Sequence, residues 1–161
     1  MTMAGLSLTW KVLPGPGSAG CTIAAGSSEA TVHASYLSDA PRDLLYAITR
    51  IAAGSKHARS QFAGEPGACR WLFHGYGGFV DIEIIAVDDE RKPDTEGRPI
   101  WHTSRRPIAE LVQATVSCFA DIRAAMDEER YRRAWGFPFP ADDLVLLQDA
   151  LRRRADLPGQ A

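Results

Sequence analysis

The stretch CRWLFHGYGGFVDIEIIAV, running from Cys69 to Val87, decides the fold. It holds two strand-like runs, CRWLFH and FVDIEIIAV, joined by a turn containing Gly75, Gly77 and Gly78. Closing the hairpin around Tyr76-Gly77 sets Cys69 against Ile84, Trp71 against Ile82 and Phe73 against Val80 on an apolar face. On the mostly polar face Arg70 then meets Glu83, Leu72 meets Asp81 and His74 meets Phe79. A slip of one residue would set Trp71 against Asp81, so the alternation is expected to specify the register.

Upstream, Leu6, Leu8, Trp10 and Val12 alternate with Ser7, Thr9 and Lys11, the pattern of a half-buried strand. The Pro14-Gly15-Pro16-Gly17 run ends it as a loop. Further strands are expected over Cys21–Ala25 and Glu29–Leu37, with Gly26-Ser27-Ser28 turning between them. The period then changes. Leu44, Leu45, Ile48, Ile51 and Ala52 follow helical spacing after a Ser38-Asp39 cap, and Gly54 supplies the stop. Residues 55–67 carry no clear period; Phe62 is expected to pack, and Glu65-Pro66-Gly67 to turn into the hairpin.

Downstream of the hairpin lie an acidic, turn-prone loop from Asp88 to Arg98 and a short strand over Ile100–Thr103. The next helix carries one stripe of Ile108, Leu111, Val112, Thr115, Val116, Phe119, Ile122 and Met126. Tyr131 and Trp135 fall off that line, which predicts a break near Asp127. The Gly136–Pro140 segment reads as an aromatic plug that docks a last helix bearing Leu144, Leu147 and Leu151, and residues 156–161 as a frayed tail. The order of elements predicts one α+β domain over residues 1–161, ordered over about 6–154. A mostly antiparallel sheet would carry helices on one face, and the βαβ alternation of a nucleotide-binding sheet is absent.

Composition narrows the function classes. The 161 residues carry a net charge of −2, which offers no general attraction to nucleic acid or an anionic membrane. No apolar run reaches the length of a membrane span, and the first ten residues lack the basic and apolar regions of a signal peptide, so a cytoplasmic location is expected. Cys21, Cys69 and Cys118 are too dispersed for a disulfide framework or a zinc site, and read as reduced thiols.

Chemical motifs are few. The HGYGGF turn lacks the last glycine of a dinucleotide fingerprint, and a strand follows it where that motif needs a helix. His33, His57, His74 and His102 show no metal-ligand spacing, and no cofactor is expected. A Cys69–His74 nucleophile pair would need both on one face, whereas they lie on opposite faces of one run. The acidic residues stand out instead. Asp88, Asp89, Glu90, Asp94 and Glu96 follow a strand whose outer face bears Asp81 and Glu83. Clustered acid of this kind steers and orients a basic protein partner. The basic stretches at Arg130–Arg133 and Arg152–Arg154 have acidic neighbours that neutralise them locally.

The succession EPGACRWLF, VDIEIIAVDDE, a P-D-x-x-G turn, a long helix and YRRAWGFPFP resembles a group of small actinobacterial-type proteins of unassigned function, over roughly residues 30 to 153. In size and layout these are similar to the immunity proteins that bacteria keep beside polymorphic toxins. The resemblance implies a non-catalytic binding protein that occludes its partner, and it brings no catalytic residues. Asp81, Glu83, Asp88, Asp89, Glu90 and Asp94 are the expected contacts, with Arg70 orienting Glu83. Two other readings stay open. A ligand-binding protein would line a pocket between sheet and helices with Trp10, Trp71, Phe73 and Trp101, and a hydrolase or transferase would set His74 or His102 beside Asp81 or Glu83.

Overall fold

A computed structural model describes residues 5–12, 17–64 and 67–155. Most of the Pro14–Gly17 loop, the Glu65-Pro66 turn and the expected frayed tail lie outside these residues. Alternating apolar residues build β1 (Leu6–Val12), β2 (Ser18–Ala25) and β3 (Ser28–Ser35), an antiparallel meander in the order β1-β2-β3. Helix α1 (Ala40–Ala52) follows, and its buried stripe includes Leu44, Leu45, Ile48 and Ile51, as its helical spacing predicts. A second antiparallel meander then runs through β4 (His57–Ala63), β5 (Ala68–Tyr76), β6 (Phe79–Val87) and β7 (Arg98–Pro107). Three helices end the described residues: α2 (Ile108–Ala125), α3 (Glu128–Trp135) and α4 (Ala141–Ala155).

The α+β class with antiparallel pairing is as the sequence predicts, but the strands form two sheets. Local alternation shows that strands exist and which face of each is buried. It carries no information on where one ladder ends and the next begins.

One core joins the layers. Trp10 of β1 meets Phe62 of β4 edge-on at 5.8 Å and Trp135 of α3 at 5.6 Å. The Trp101 indole on β7 donates to Ser28 Oγ at 2.8 Å, and Glu110 of α2 accepts from the Leu6 amide at 2.7 Å. Asp127 caps α3 by accepting from the Arg130 amide, which makes the break after Met126. Phe139 packs on Tyr131 at 5.4 Å and Phe119 at 6.0 Å, so the aromatic segment is the plug beneath α4. Trp10, Trp71, Phe73 and Trp101 are all buried, at 8%, 1%, 2% and 8% exposure. They pack in the core, where Phe73 also borders a recess beside α1 and Trp10 a separate one beside α2.

The hairpin keeps its faces but not its register. The ladder pairs Trp71 with Ile84, Phe73 with Ile82, His74 with Asp81 and Tyr76 with Phe79. Each partner is displaced by two residues from the Tyr76-Gly77 closure. The cause lies in the turn. A two-residue turn that matches strand twist needs positive φ at its first central position, and in the type I′ form at both, which tyrosine resists and glycine adopts freely. Gly77 (φ 54°) and Gly78 (φ 87°) supply both. A shift of two preserves the alternation, so face patterning cannot detect it. Arg70 therefore lies opposite Ile85, and the expected Arg70–Glu83 pair does not form.

Strand β4 lies in the segment that shows no clear period. Its inward positions include Ala58 and Ser60, whose small side chains hide the alternation that Phe62 continues. Strand β7 spans ten residues, where four were expected.

The turn yields a test. Gly78→Val should destabilise the fold by about 1–2 kcal/mol, the cost of a β-branched residue in the left-handed region. Gly77→Asn should be nearly neutral, because asparagine suits the first position of such a turn. Equilibrium urea unfolding of the two variants measures the difference.

Candidate functional site

The outer face of the β4–β7 sheet divides into an open half and a covered half. On the open half His57 and His74 stack with ring centroids 4.8 Å apart and planes 8° from parallel. Asp81 stands opposite His74, and Glu83 stands between Leu72 and His102. His57, His74, Tyr76, Glu83 and His102 are exposed, and a shallow recess of about 320 Å³ runs among the three histidines, Asp81 and Glu83.

Asp81 is fixed on this face by hydrogen bonds. Its Oδ1 accepts from the Tyr76 hydroxyl at 2.7 Å and from the Arg105 amide at 2.9 Å. Arg105 reaches that position with φ 56°, and its guanidinium lies over the Phe79 ring. Partial desolvation works to raise the Asp81 carboxyl, but the Arg105 amide, the Tyr76 hydroxyl and nearby His74 together hold it below the usual carboxylate range. The same contact pushes the Tyr76 phenol up, first through its hydrogen bond to Asp81.

The covered half is organised by Arg70. This side chain sits on the outer face of a central strand, yet Arg70 is only 3% exposed. Its Nε donates to Gln61 Oε1 at 2.8 Å, one Nη to the Lys92 carbonyl at 2.7 Å and to Asp94 Oδ1 at 3.0 Å, and the other Nη to the Glu90 carbonyl at 2.7 Å. The 88–97 loop is thereby folded back across the sheet. Asp94 also receives Arg59 at 3.0 Å, a single 3₁₀ turn spans Asp94–Glu96, and Gly97 passes so close to Ile85 that a Cβ there would stand 2.5 Å from its side chain. Only a guanidinium has the fork of donors to reach two carbonyls, an amide and a carboxylate at once.

The acidic residues singled out from the sequence are distributed unevenly by the fold. Asp88 pairs with Lys92 at 2.7 Å, and Asp89 pairs with Arg91 at 2.8 Å. Hydrogen bonding from Arg91 holds the Asp89 carboxyl at about 2, well below the ordinary value. Asp94 is committed to Arg70 and Arg59. Among the described residues Glu83, Glu90 and Glu96 carry carboxylates with no ion-pair partner. Asp81 and Glu83 share the open half, whereas the Glu90 side chain faces a recess beside α1. His57 and Arg59 also line this face; His57 was weighed only as a metal ligand and Arg59 not at all, because both lie on the strand whose period is hidden.

The histidines and thiols bear on catalysis. His74 Nδ1 lies 4.0 Å from Asp81 Oδ2, and His102 lies across from Glu83, so the fold brings both His–carboxylate couples to one face. Asp81 spends its Oδ1 on Tyr76 and Arg105, and 4.0 Å is beyond hydrogen-bonding distance for His74. Among the described residues no group of three His, Cys, Asp or Glu side chains is placed to hold a metal ion. Burial raises all three thiols, Cys118 to about 12 and Cys21 well above its normal value, so at neutral pH they are protonated.

Two measurements check this geometry. Arg70→Met should cost about 2–3 kcal/mol, the worth of hydrogen bonds to a buried charge, and should speed hydrogen exchange at the Lys92, Glu96 and Gly97 amides. With a thiol-specific chromogenic disulfide at pH 8, the native protein should label slowly at half-buried Cys69 alone, and at all three cysteines once unfolded. Comparison with protein-family models, with curated proteins and with solved structures finds no match to this chain.

Proposed function

We propose that the chain is a cytoplasmic, non-catalytic protein-binding module of the immunity type, which silences a partner by covering it. The docking surface is the open half of the outer sheet face together with the 88–97 loop. The observation that carries this reading is the burial of Arg70 beneath a surface loop. Fixing an exposed loop through its own carbonyls lowers the entropy lost when that loop meets a partner, which is how preorganised binding surfaces gain affinity. A loop so held serves recognition better than it serves the core.

The partner presents a basic surface, but fewer contacts carry the attraction than the count of acidic residues suggests. Glu83 and Glu96 form no ion pair among the described residues, Asp81 acts as an oriented acceptor, and Asp88 and Asp89 are offset by Lys92 and Arg91. His57, His74 and Tyr76 add stacking area beside them. The reading as a hydrolase or transferase is weakened by the commitment of Asp81 Oδ1 to groups other than His74.

Copurification of the tagged chain from its native host should bring down one protein with a basic surface. Glu83→Lys should weaken that complex by roughly tenfold at low salt and less at high salt, since the Debye length shortens. Equal affinity for wild type and Glu83→Lys at both ionic strengths would falsify the electrostatic part of the proposal.

A further inference from the structure

A groove between β4 and α1 adjoins that surface, sharing His57, Glu90 and Asp94 with it. Strand β4 is an edge strand, with β5 on one side only. Lys56 O accepts from the Gly75 amide, so the even-numbered positions of this segment point toward β5. The Gln61 amide instead donates to Asp43 Oδ2 at 3.0 Å, off the edge of the sheet. Alternation of an antiparallel ladder gives His57 and Arg59 the same outward aim. Their main-chain N–H and C=O groups therefore face away from β5 with no strand beside them.

Helix α1 runs alongside this edge. Near Gln61 it presents Asp39, Arg42, Asp43 and Tyr46, and near Ala58 it presents Tyr46, Ala47 and Arg50. The space between is a groove of two recesses, about 600 and 400 Å³, that share Tyr46 as their common wall. Tyr46 is 61% exposed and Leu37, in the larger recess, is 53% exposed. The smaller recess is floored by Ala47, Ala58, Leu72 and Phe73. The groove is also polarised. Asp39, Asp43, Glu90 and Asp143 line the larger recess against one cation, Arg42, already paired with Asp143 at 3.3 Å. At the opposite end stands Arg50, while Arg59 is held by Asp94.

We propose that this groove is a second binding site, which takes an extended segment of another protein as a strand added to β4. The segment places an apolar side chain in the recess over Ala58, and a lysine or arginine about four residues away at the acidic end. Three features select this occupant. The outward main-chain groups at His57 and Arg59 are satisfied by a strand and not by a docked helix. The small residues Ala47 and Ala58 leave room for one side chain. The acidic end lacks the cations that would balance it from within the chain.

A phage-displayed library of randomised peptides about seven residues long is the probe. The expected result is enrichment of sequences pairing a basic with an apolar residue, whose affinity falls roughly tenfold on Tyr46→Ser, an exposed position where the fold is not at stake. Arg59→Pro should weaken binding more than Arg59→Ala does, because only proline removes the edge N–H, and edge strands accept proline. In the complex the Arg59 amide should become protected from hydrogen exchange, a readout that does not depend on the proline variant. Glu83→Lys, on the outer face, should leave peptide affinity unchanged. The proposal is overturned if no sequence is enriched over an unrelated β-protein, if Tyr46→Ser and Arg59→Pro bind like wild type, or if Glu83→Lys abolishes binding.

Discussion

A single guanidinium lies between the sheet and the segment that crosses it. Arg70 projects from the middle of the β4–β7 sheet on the face away from the main core, where an arginine would ordinarily reach into water. Here the chain between β6 and β7 passes over it and offers two carbonyls and a carboxylate. Neither partner is stable alone: the buried cation needs acceptors, and the loop carbonyls need a donor. The connection also sets where β7 begins, and hence where Trp101 meets Ser28 and ties the second meander to the first.

The legibility of this fold follows the range of the physics involved. Alternation and helical spacing are local, so α1, α2, the break at Asp127 and the buried faces of the hairpin are readable from the residues. Register is less local. It depended on whether tyrosine or glycine would occupy the left-handed positions, and Gly77-Gly78 was the cue to prefer. Strand β4 escaped notice because Ala58 and Ser60 are small where a strand signal relies on bulk. Division into two sheets escaped because strand pairing is decided by contacts far apart in sequence.

The site was legible in a similar, partial way. Acidic residues are easy to count, but their effective charge depends on which neighbours reach them. Lys92 and Arg91, only a few residues from Asp88 and Asp89, remove much of the field that the tally implies. The partner of Arg70 was misassigned by the same two-residue displacement that moved the hairpin. The open face and the α1–β4 groove meet along β4, where His57, Leu72 and Phe73 border both, and the Arg59–Asp94 pair lines the groove.

The carboxylate of Asp43 bears on how the protein keeps to itself. An unprotected edge strand is a template on which copies of a chain can stack without limit. By taking the Gln61 amide and the Ser60 hydroxyl, Asp43 ends the open ladder after His57 and Arg59. What remains outward along β4 up to Gln61 is His57 and Arg59, so one acidic side chain on α1 shortens the template that this edge offers to another copy.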